Sequence, residues 1–412
     1  MTLAWISIGA LVLAVALSTT TAVNVGVLSL ALAWIVGVYL GGMSVDTLLQ
    51  GFPVSLLVTL VGVTLLFSMA EVNGTLERVT RRAVRLCGGH RGLLPMLFFA
   101  LGLALATIGG GGTPASALLA PPAMAVAAKV GISPLLMAIM AGNGALAGTL
   151  SPFAPTGIVA NSVMARIGLP EMKWHTFAYN ALAHAVVGFG GFVLLGGLRL
   201  FKKRDERMPA AERDGDPFEV KHWLTLGGIT ALVVGVAGFS THVGLTALAI
   251  AAILTLSRAT DEKKAIEKMP WAVMLMVTGV TVLVSMLEHT KGTEILTGAL
   301  GTLATPATIS PIVAFGAGVV SVYSSTSGVV LPAFLPMVPG LAASVGLDPL
   351  PLAWSMNIGA SLVDLSSLST VGALFLAAAP EGTNTRALFN ALLAWGLSMS
   401  VVGAVLCWLL FG

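Results

Sequence analysis

The chain is predicted to be an all-α integral membrane protein made of two inverted repeats. Each repeat is expected to hold transmembrane helices, a re-entrant helical hairpin and a broken helix. Three observations predict this: a composition that cannot cover a water-facing surface, an ungapped internal repeat, and basic residues that follow a membrane topology. Of 412 residues, 56% are hydrophobic and 9% charged, with a mean hydropathy of +0.95. Soluble domains carry about 25% charged residues. Apolar stretches near 3–18, 22–42, 54–70, 175–198, 223–239, 243–256, 271–287 and 387–411 approach or reach the roughly 20 residues that span a bilayer. The first runs into the second without a basic leader region, so no cleavable signal peptide is expected. Cys87 and Cys407 are too far apart in the chain to suggest a disulfide framework or a metal site.

The repeat comes next. A shift of 215 residues lays Pro121 on Pro336, Gly131 on Gly346, Pro134 on Pro349, Gly144 on Gly359, Ser151 on Ser366 and Gly157 on Gly372. A shift of 217 lays Pro53 on Pro270, Thr64 on Thr281, Ser68 on Ser285 and Glu71 on Glu288. The organisation expected is a first repeat over 1–205, a cytoplasmic linker over 206–221 and a second repeat over 222–412. Internal duplication of this kind is common among secondary transporters.

Charge sets the orientation. The loop after Glu71 carries Arg78, Arg81, Arg82, Arg85 and Arg91, whereas its counterpart after Glu288 carries only Lys291. Equivalent loops of opposite basic content lie on opposite faces under the positive-inside rule, which makes the repeats inverted. Counting spans places Arg199, Lys202, Lys203, Arg204, Arg207, Arg258, Lys263, Lys264 and Lys268 in the cytoplasm and Arg166, Lys173 and Lys291 outside. Both termini come out external. The segment 75–91 reads as an amphipathic helix on the cytoplasmic surface.

Each half is then interrupted twice at matched places. The run 109–122 (GGGGTPASALLAPP) matches 323–336 (YSSTSGVVLPAFLP), between arms too short to cross alone. Re-entrant hairpins over about 95–128 and 311–342 are therefore expected. The run 141–157, with Pro152 and Pro155, matches 355–372, with Ser366, Ser367, Ser369 and Thr370. Proline removes backbone donors, and serine and threonine compete for backbone groups, so helices over about 133–165 and 347–378 are expected to break. Irregular backbone at membrane depth is tolerated when it is buried in protein or lines a wet cavity. Two tips and two breaks should thus meet near the midplane, where half-helix N-termini suit a carboxylate and exposed oxygens suit Na⁺. A buried hydroxyl in a membrane bundle also serves as an ordinary interhelical hydrogen bond.

Asp364 stands out because it lies deep in its span with no Lys or Arg in the predicted core to pair with it. If the substrate is an anion, helix dipoles and co-bound cations must offset its charge. Cation-coupled symport follows, with Asp364 as a Na⁺ ligand or proton carrier. His184 reads as a neutral core histidine bonded to a neighbouring helix. Glu71 and Glu288 read as structural residues near span ends, and Asn180 and Asn390 as helix-packing contacts.

The run 73–160, from NGTLERVTRRAVRLCGGHRG through IGGGGTPASALLAPP to GNGALAGTLSPFAPTG, resembles the N-terminal domain of MatC-type dicarboxylate carriers, within the superfamily of the divalent-anion/sodium symporters. The resemblance implies carboxylate and Na⁺ binding at the hairpin tips, a homodimer and an elevator-like motion. The symporters carry Ser-Asn-Thr at each tip; here the tips read Gly112, Thr113, Pro114 and Ser325, Thr326, Ser327. The function expected is secondary transport of a small dicarboxylate, malonate or a C4 acid, in the inner membrane. Gly111, Gly112, Thr113, Pro114, Ser116, Thr156, Ser325, Thr326, Ser327 and Thr370 are the candidate substrate ligands. Asn143, Ser151, Asn357, Asp364, Ser366 and Ser369 are the candidates for cation coupling, with Na⁺ at Asn143, Ser151, Asp364 and Ser366. No cofactor is expected beyond Na⁺ or H⁺ as coupling ion, and the partners are the diacid and membrane lipid, not nucleic acid. A cation/proton antiporter of the same superfamily is the alternative, and a channel a weaker one. An enzyme is disfavoured, because no catalytic pair, metal cluster or nucleophile–base spacing is present.

Overall fold

A computed structural model describes residues 2–20, 23–85, 91–202, 217–239, 241–295, 305–380 and 382–412. Among these residues every regular element is helical. The first half runs α1 (Thr2–Thr20), α2 (Val25–Leu40), α3 (Val45–Gln50), α4 (Val54–Val72), α5 (Thr75–Arg85), α6 (Leu93–Gly110), α7 (Gly112–Val130), α8 (Pro134–Ala147), α9 (Pro155–Arg166) and α10 (Lys173–Leu194). The second runs α11 (Val220–Phe239), α12 (Val243–Leu256), α13 (Glu262–Lys268), α14 (Trp271–His289), α15 (Ile309–Tyr323), α16 (Thr326–Val345), α17 (Pro349–Leu362), α18 (Thr370–Ala377) and α19 (Thr385–Phe411). Among the described residues, seven helical segments are long and apolar enough to cross a membrane.

Local chemistry explains most boundaries. Asn24 caps α2 by accepting from Gly26 N, Asp261 caps α13, and Asp348 caps α17 ahead of a proline in its first turn. Gly131 and Gly346 end α7 and α16 in the left-handed conformation that glycine adopts without strain. Pro332, Pro336 and Pro339 divide α16 into short α and 3₁₀ turns, because each removes a backbone donor.

Packing recurs between the halves. Helix α8 lies against α6 and α10, and α17 lies against α15 and α19. A Cβ on Gly144 would fall 2.2 Å from the Phe99 carbonyl oxygen, and one on Gly359 would fall 2.1 Å from that of Ala314. The 215-residue shift relates these two contacts. The outer pairs cross over: α4 packs on α12, and α14 packs on α2. A Cβ on Gly62 would fall 2.2 Å from the Gly244 carbonyl oxygen, and one on Gly279 would fall 2.1 Å from that of Gly26. Any side chain at these crossings would drive the helices apart.

Charges collect at helix ends. Lys268 Nζ reaches Glu71 Oε1 at 2.8 Å, and Arg166 Nη2 lies 3.5 Å from Glu288 Oε1. Each pair joins residues that the positive-inside count puts on one face. Arg78 pairs with Glu219 at 3.1 Å and donates to Pro217 O, tying α5 to the start of α11. A hydrogen bond from Lys221 is the main cause that holds the Glu219 carboxyl below the usual carboxylate range.

Three expectations need amendment. The first hairpin arm runs longer than the 95–108 segment expected: α6 starts at Leu93 and continues into a π-helical turn that Gly109 (φ 124°) kinks out of helical backbone. Asn390 is not a buried helix-packing residue among the described residues: α19 buries the face bearing Leu388, Leu392, Gly396 and Met399 and leaves Asn390 exposed. Cys87 and residues 203–216 of the polar stretch lie outside the described residues.

Candidate functional site

Two tips and two breaks surround a common space. At the first tip, Gly109 (φ 124°) and Gly111 (φ 74°, ψ 171°) turn the chain between α6 and α7. Backbone of the Gly111 kind is essentially closed to other residues. Gly111 gives α7 no side-chain cap, and Pro114 supplies no amide hydrogen, so the amides of Gly112 and Thr113 begin the helix uncapped. At the first break α8 stops at Ala147 and α9 restarts at Pro155, behind Ala154, which again provides no side-chain cap. Ser151 Oγ donates to Thr107 O at 2.6 Å, and Thr149 Oγ1 donates to Leu146 O at 2.6 Å.

The second half is built from oxygens. Ser325 Oγ caps α16 by accepting from Gly328 N at 3.0 Å. Ser369 Oγ accepts from Gly372 N at 3.3 Å at the head of α18 and donates to Ser366 O at 2.8 Å. Thr326 Oγ1 lies 2.7 Å from Asp364 Oδ1, 3.2 Å from Ala360 O and 2.5 Å from Ser321 Oγ. A hydroxyl chain therefore leads from Ser321 through Thr326 to the carboxylate.

These elements enclose a cavity of about 290 Å³. The N-terminal ends of α7, α9, α16 and α18 all reach it, through Gly112 and Thr113, Thr156, Ser325 to Ser327, and Thr370. Asp364 is the one ionisable side chain among the lining residues, and neither Lys nor Arg is present there. A larger cavity of about 1140 Å³ shares Gly112, Thr113, Thr156, Ser325, Ser327 and Thr370 with it. Its walls include Phe67, Leu118, Pro121 and Val126, and it extends to Glu71, Glu77, Lys129 and Lys268.

The predicted residues divide into two groups. Gly111, Gly112, Thr113, Pro114, Thr156, Ser325, Thr326, Ser327, Asp364, Ser369 and Thr370 line one or both cavities. The rest point elsewhere. Ser116 is fully buried, and no partner for its hydroxyl is found among the described residues. Asn143 Nδ2 donates to Ile139 O at 2.9 Å, while its Oδ1 faces His184 Nδ1 at 3.0 Å. Asn357 is buried, with Nδ2 3.7 Å from Met164 Sδ. Ser366 Oγ accepts from Leu368 N at 3.3 Å, and its Cβ packs against Gly396. The four residues suggested for Na⁺, Asn143, Ser151, Asp364 and Ser366, thus each engage a different partner. The oxygens gathered at Asp364 are instead those of Thr326, Ser321 and Ala360. No group of three His, Cys, Asp or Glu suited to a metal ion occurs among the described residues.

Sequence reasoning missed Ser321, Thr149 and Ser361. Ser321 sits inside an apolar helix where nothing local marks it, and Ser361 lies in the 355–372 run but ahead of the Ser366–Thr370 cluster that drew attention. Thr149 was readable as the repeat partner of Asp364. His184 is a buried residue bonded across helices, to Asn143 and, at 3.3 Å, to Ser361 Oγ.

Residues 1–149 match the family described as "Dicarboxylate carrier protein MatC N-terminus". No curated protein matches the chain. Among solved structures, the crystal structure of the YdaH transporter of Alcanivorax borkumensis, described as having an unusual topology, is similar in fold. The match has a TM-score of 0.55 at 15% identity and covers 90% of this chain and 87% of the other. The matched family is described as a carrier and the structural neighbour as a transporter.

Proposed function

We propose that this chain is a secondary transporter of a small dicarboxylate, malonate or a C4 acid, driven by a co-transported cation. One observation carries the reading: four helix N-termini, those of α7 and α9 with no side-chain cap, converge on a cavity whose described lining has no basic side chain and a single carboxylate. Helix N-termini present free amides and a positive dipole end, which suits an anion. About 290 Å³ lies at the small end of ligand pockets, which suits a short diacid better than a larger organic anion. The substrate charge then needs an offset, and the oxygens around Asp364 provide a place for Na⁺ or H⁺.

The recurrence of the α4–α12 and α14–α2 crossings supports an inverted repeat with alternating access. With the positive-inside orientation, the larger cavity opens toward the cytoplasm of an inner-membrane protein. An elevator-like motion and a homodimer extend the reading by family resemblance. The test is uptake of labelled malonate and succinate into proteoliposomes under an imposed Na⁺ gradient and, separately, a proton gradient. Saturable, gradient-driven accumulation is expected. Cation exchange with no uptake of either acid would replace this reading by an antiporter, in which Asp364 carries the transported ion.

A further inference from the structure

The anion-suited and cation-suited parts of the cavity belong to different halves, so a symporter needs a physical link between them. Two side chains of α10, Asn180 and His184, span that gap, and Asn180 reaches the half-helix ends themselves. Asn180, on α10 and fully buried, donates from Nδ2 to Leu146 O at 3.0 Å and Ala147 O at 3.2 Å. Those are the last two carbonyls of α8, which lie beyond its regular ladder; Leu146 O also accepts from Thr149 N and Oγ1. The Asn180 Oδ1 accepts from Ser361 Oγ at 2.6 Å, one residue before α17 ends. One amide therefore fastens both half-helices immediately ahead of their breaks. Thr149 follows two residues beyond Ala147, and Asp364 three beyond Ser361.

The neighbouring side chains repeat the pattern. His184, one turn along α10, sits between Asn143 of α8 and Ser361 of α17. Thr176, one turn back, accepts from Trp354 Nε1 at 3.2 Å. Asn390, which the repeat would place in the matching role, is exposed. The tie is thus made once, from the first half.

We propose that Asn180 is the positioning residue that couples the two half-sites. Filling one break shifts the end of its half-helix, and Asn180 transmits the shift through Leu146 and Ala147 on one side and Ser361 on the other. The inference rests on the proposed cation–diacid symport. Energetic coupling between sites of this kind commonly amounts to about 5–150-fold in affinity.

Hydrogen exchange of the full chain in detergent tests it, followed in segments 147–157 and 361–372. Malonate alone, Na⁺ alone and a step to acid pH, with rates corrected for the intrinsic pH dependence of exchange, are each applied to the unaltered protein, to Asn180→Leu and to Ser361→Ala. Ser361→Ala leaves α8 capped and cuts the links of both Asn180 and His184 to α17. In the unaltered protein any of these ligands should slow exchange in both segments. In both variants protection should stay in the ligand's own segment, and the cation-induced tightening of malonate binding should fall at least about fivefold. Thr176→Val, cutting the bond farthest from the breaks, should behave as the unaltered protein. If both variants keep protection in both segments, the tie is wrong and the symporter reading stands. If the cation protects both segments but malonate neither, the diacid reading falls and the tie stands. No response to any ligand in the unaltered protein overturns both.

Discussion

The two tip-and-break regions occupy repeat-matched positions yet are chemically opposite. Around Gly111 and Ala154 the first half leaves helix amides uncapped and brings no side-chain carboxylate. Around Ser325 and Ser369 the second half caps its own amides with serine and adds Asp364 and Thr326. Thr149 in the first half stands where Asp364 stands in the second. One duplicated scaffold has thereby been split into a donor-rich face suited to an anion and an oxygen-rich face suited to a cation. Such division lets one cavity hold both charges with no lysine or arginine, whose burial in a membrane is costly.

Removing the acidic member should have the largest effect. Asp364→Asn is expected to lower gradient-driven diacid accumulation by about 100-fold while sparing exchange of internal for external diacid, since the donor-rich face stays intact. Measuring counterflow beside net uptake checks this, and an equal loss of both would erase the division of labour.

The next change blocks the other face. Gly111→Ala forces a non-glycine residue into φ 74°, ψ 171° and pushes a Cβ to 3.1 Å from Pro155 Cδ. It should destabilise the tip by about 1–3 kcal/mol. Diacid affinity should drop at least tenfold, with cation affinity nearly unchanged, as read by thermal shift with each ligand.

A third change sharpens the comparison by making the first half resemble the second. Ala154→Ser would cap α9 by taking the Thr156 amide, because Gly157 N already donates to Thr149 O at 2.9 Å. Stability should rise by about 1 kcal/mol while the diacid KM increases several-fold. A stabilised protein with unaltered KM would mean that the Thr156 amide is no substrate ligand. The smallest effect is expected from Arg166→Gln, which removes a half-exposed ion pair to Glu288. It should alter unfolding by less than about 1 kcal/mol and leave transport as it was.

Much of this plan was readable from residue order. The breaks follow from Pro152, Pro155 and the Ser366–Thr370 run, and the first tip from its four glycines, because these residues act on their own backbone. The cation ligands were harder. Ser151 and Ser366 are repeat-matched hydroxyls beside the breaks, which made them natural candidates, yet both bond to nearby backbone groups and neither lines the cavities. Asn180 carried a faint signal, as the middle of a four-residue spacing through Thr176, Asn180 and His184 on one helix face.

The sequence by itself determined the membrane class, the duplication, the places where helices break and the isolation of Asp364. Hydrophobicity, proline and glycine impose those features locally, wherever the chain goes. Tertiary structure alone decided that Thr326 and Ser321 rather than Ser366 meet Asp364, and that four helix N-termini share one cavity. It also decided that Asn180 bridges two half-helix ends, one of them at Ser361, 181 residues further along the chain. Such meetings depend on how glycine-lined crossings bring distant helices together, and no residue type records in advance which neighbour it will face.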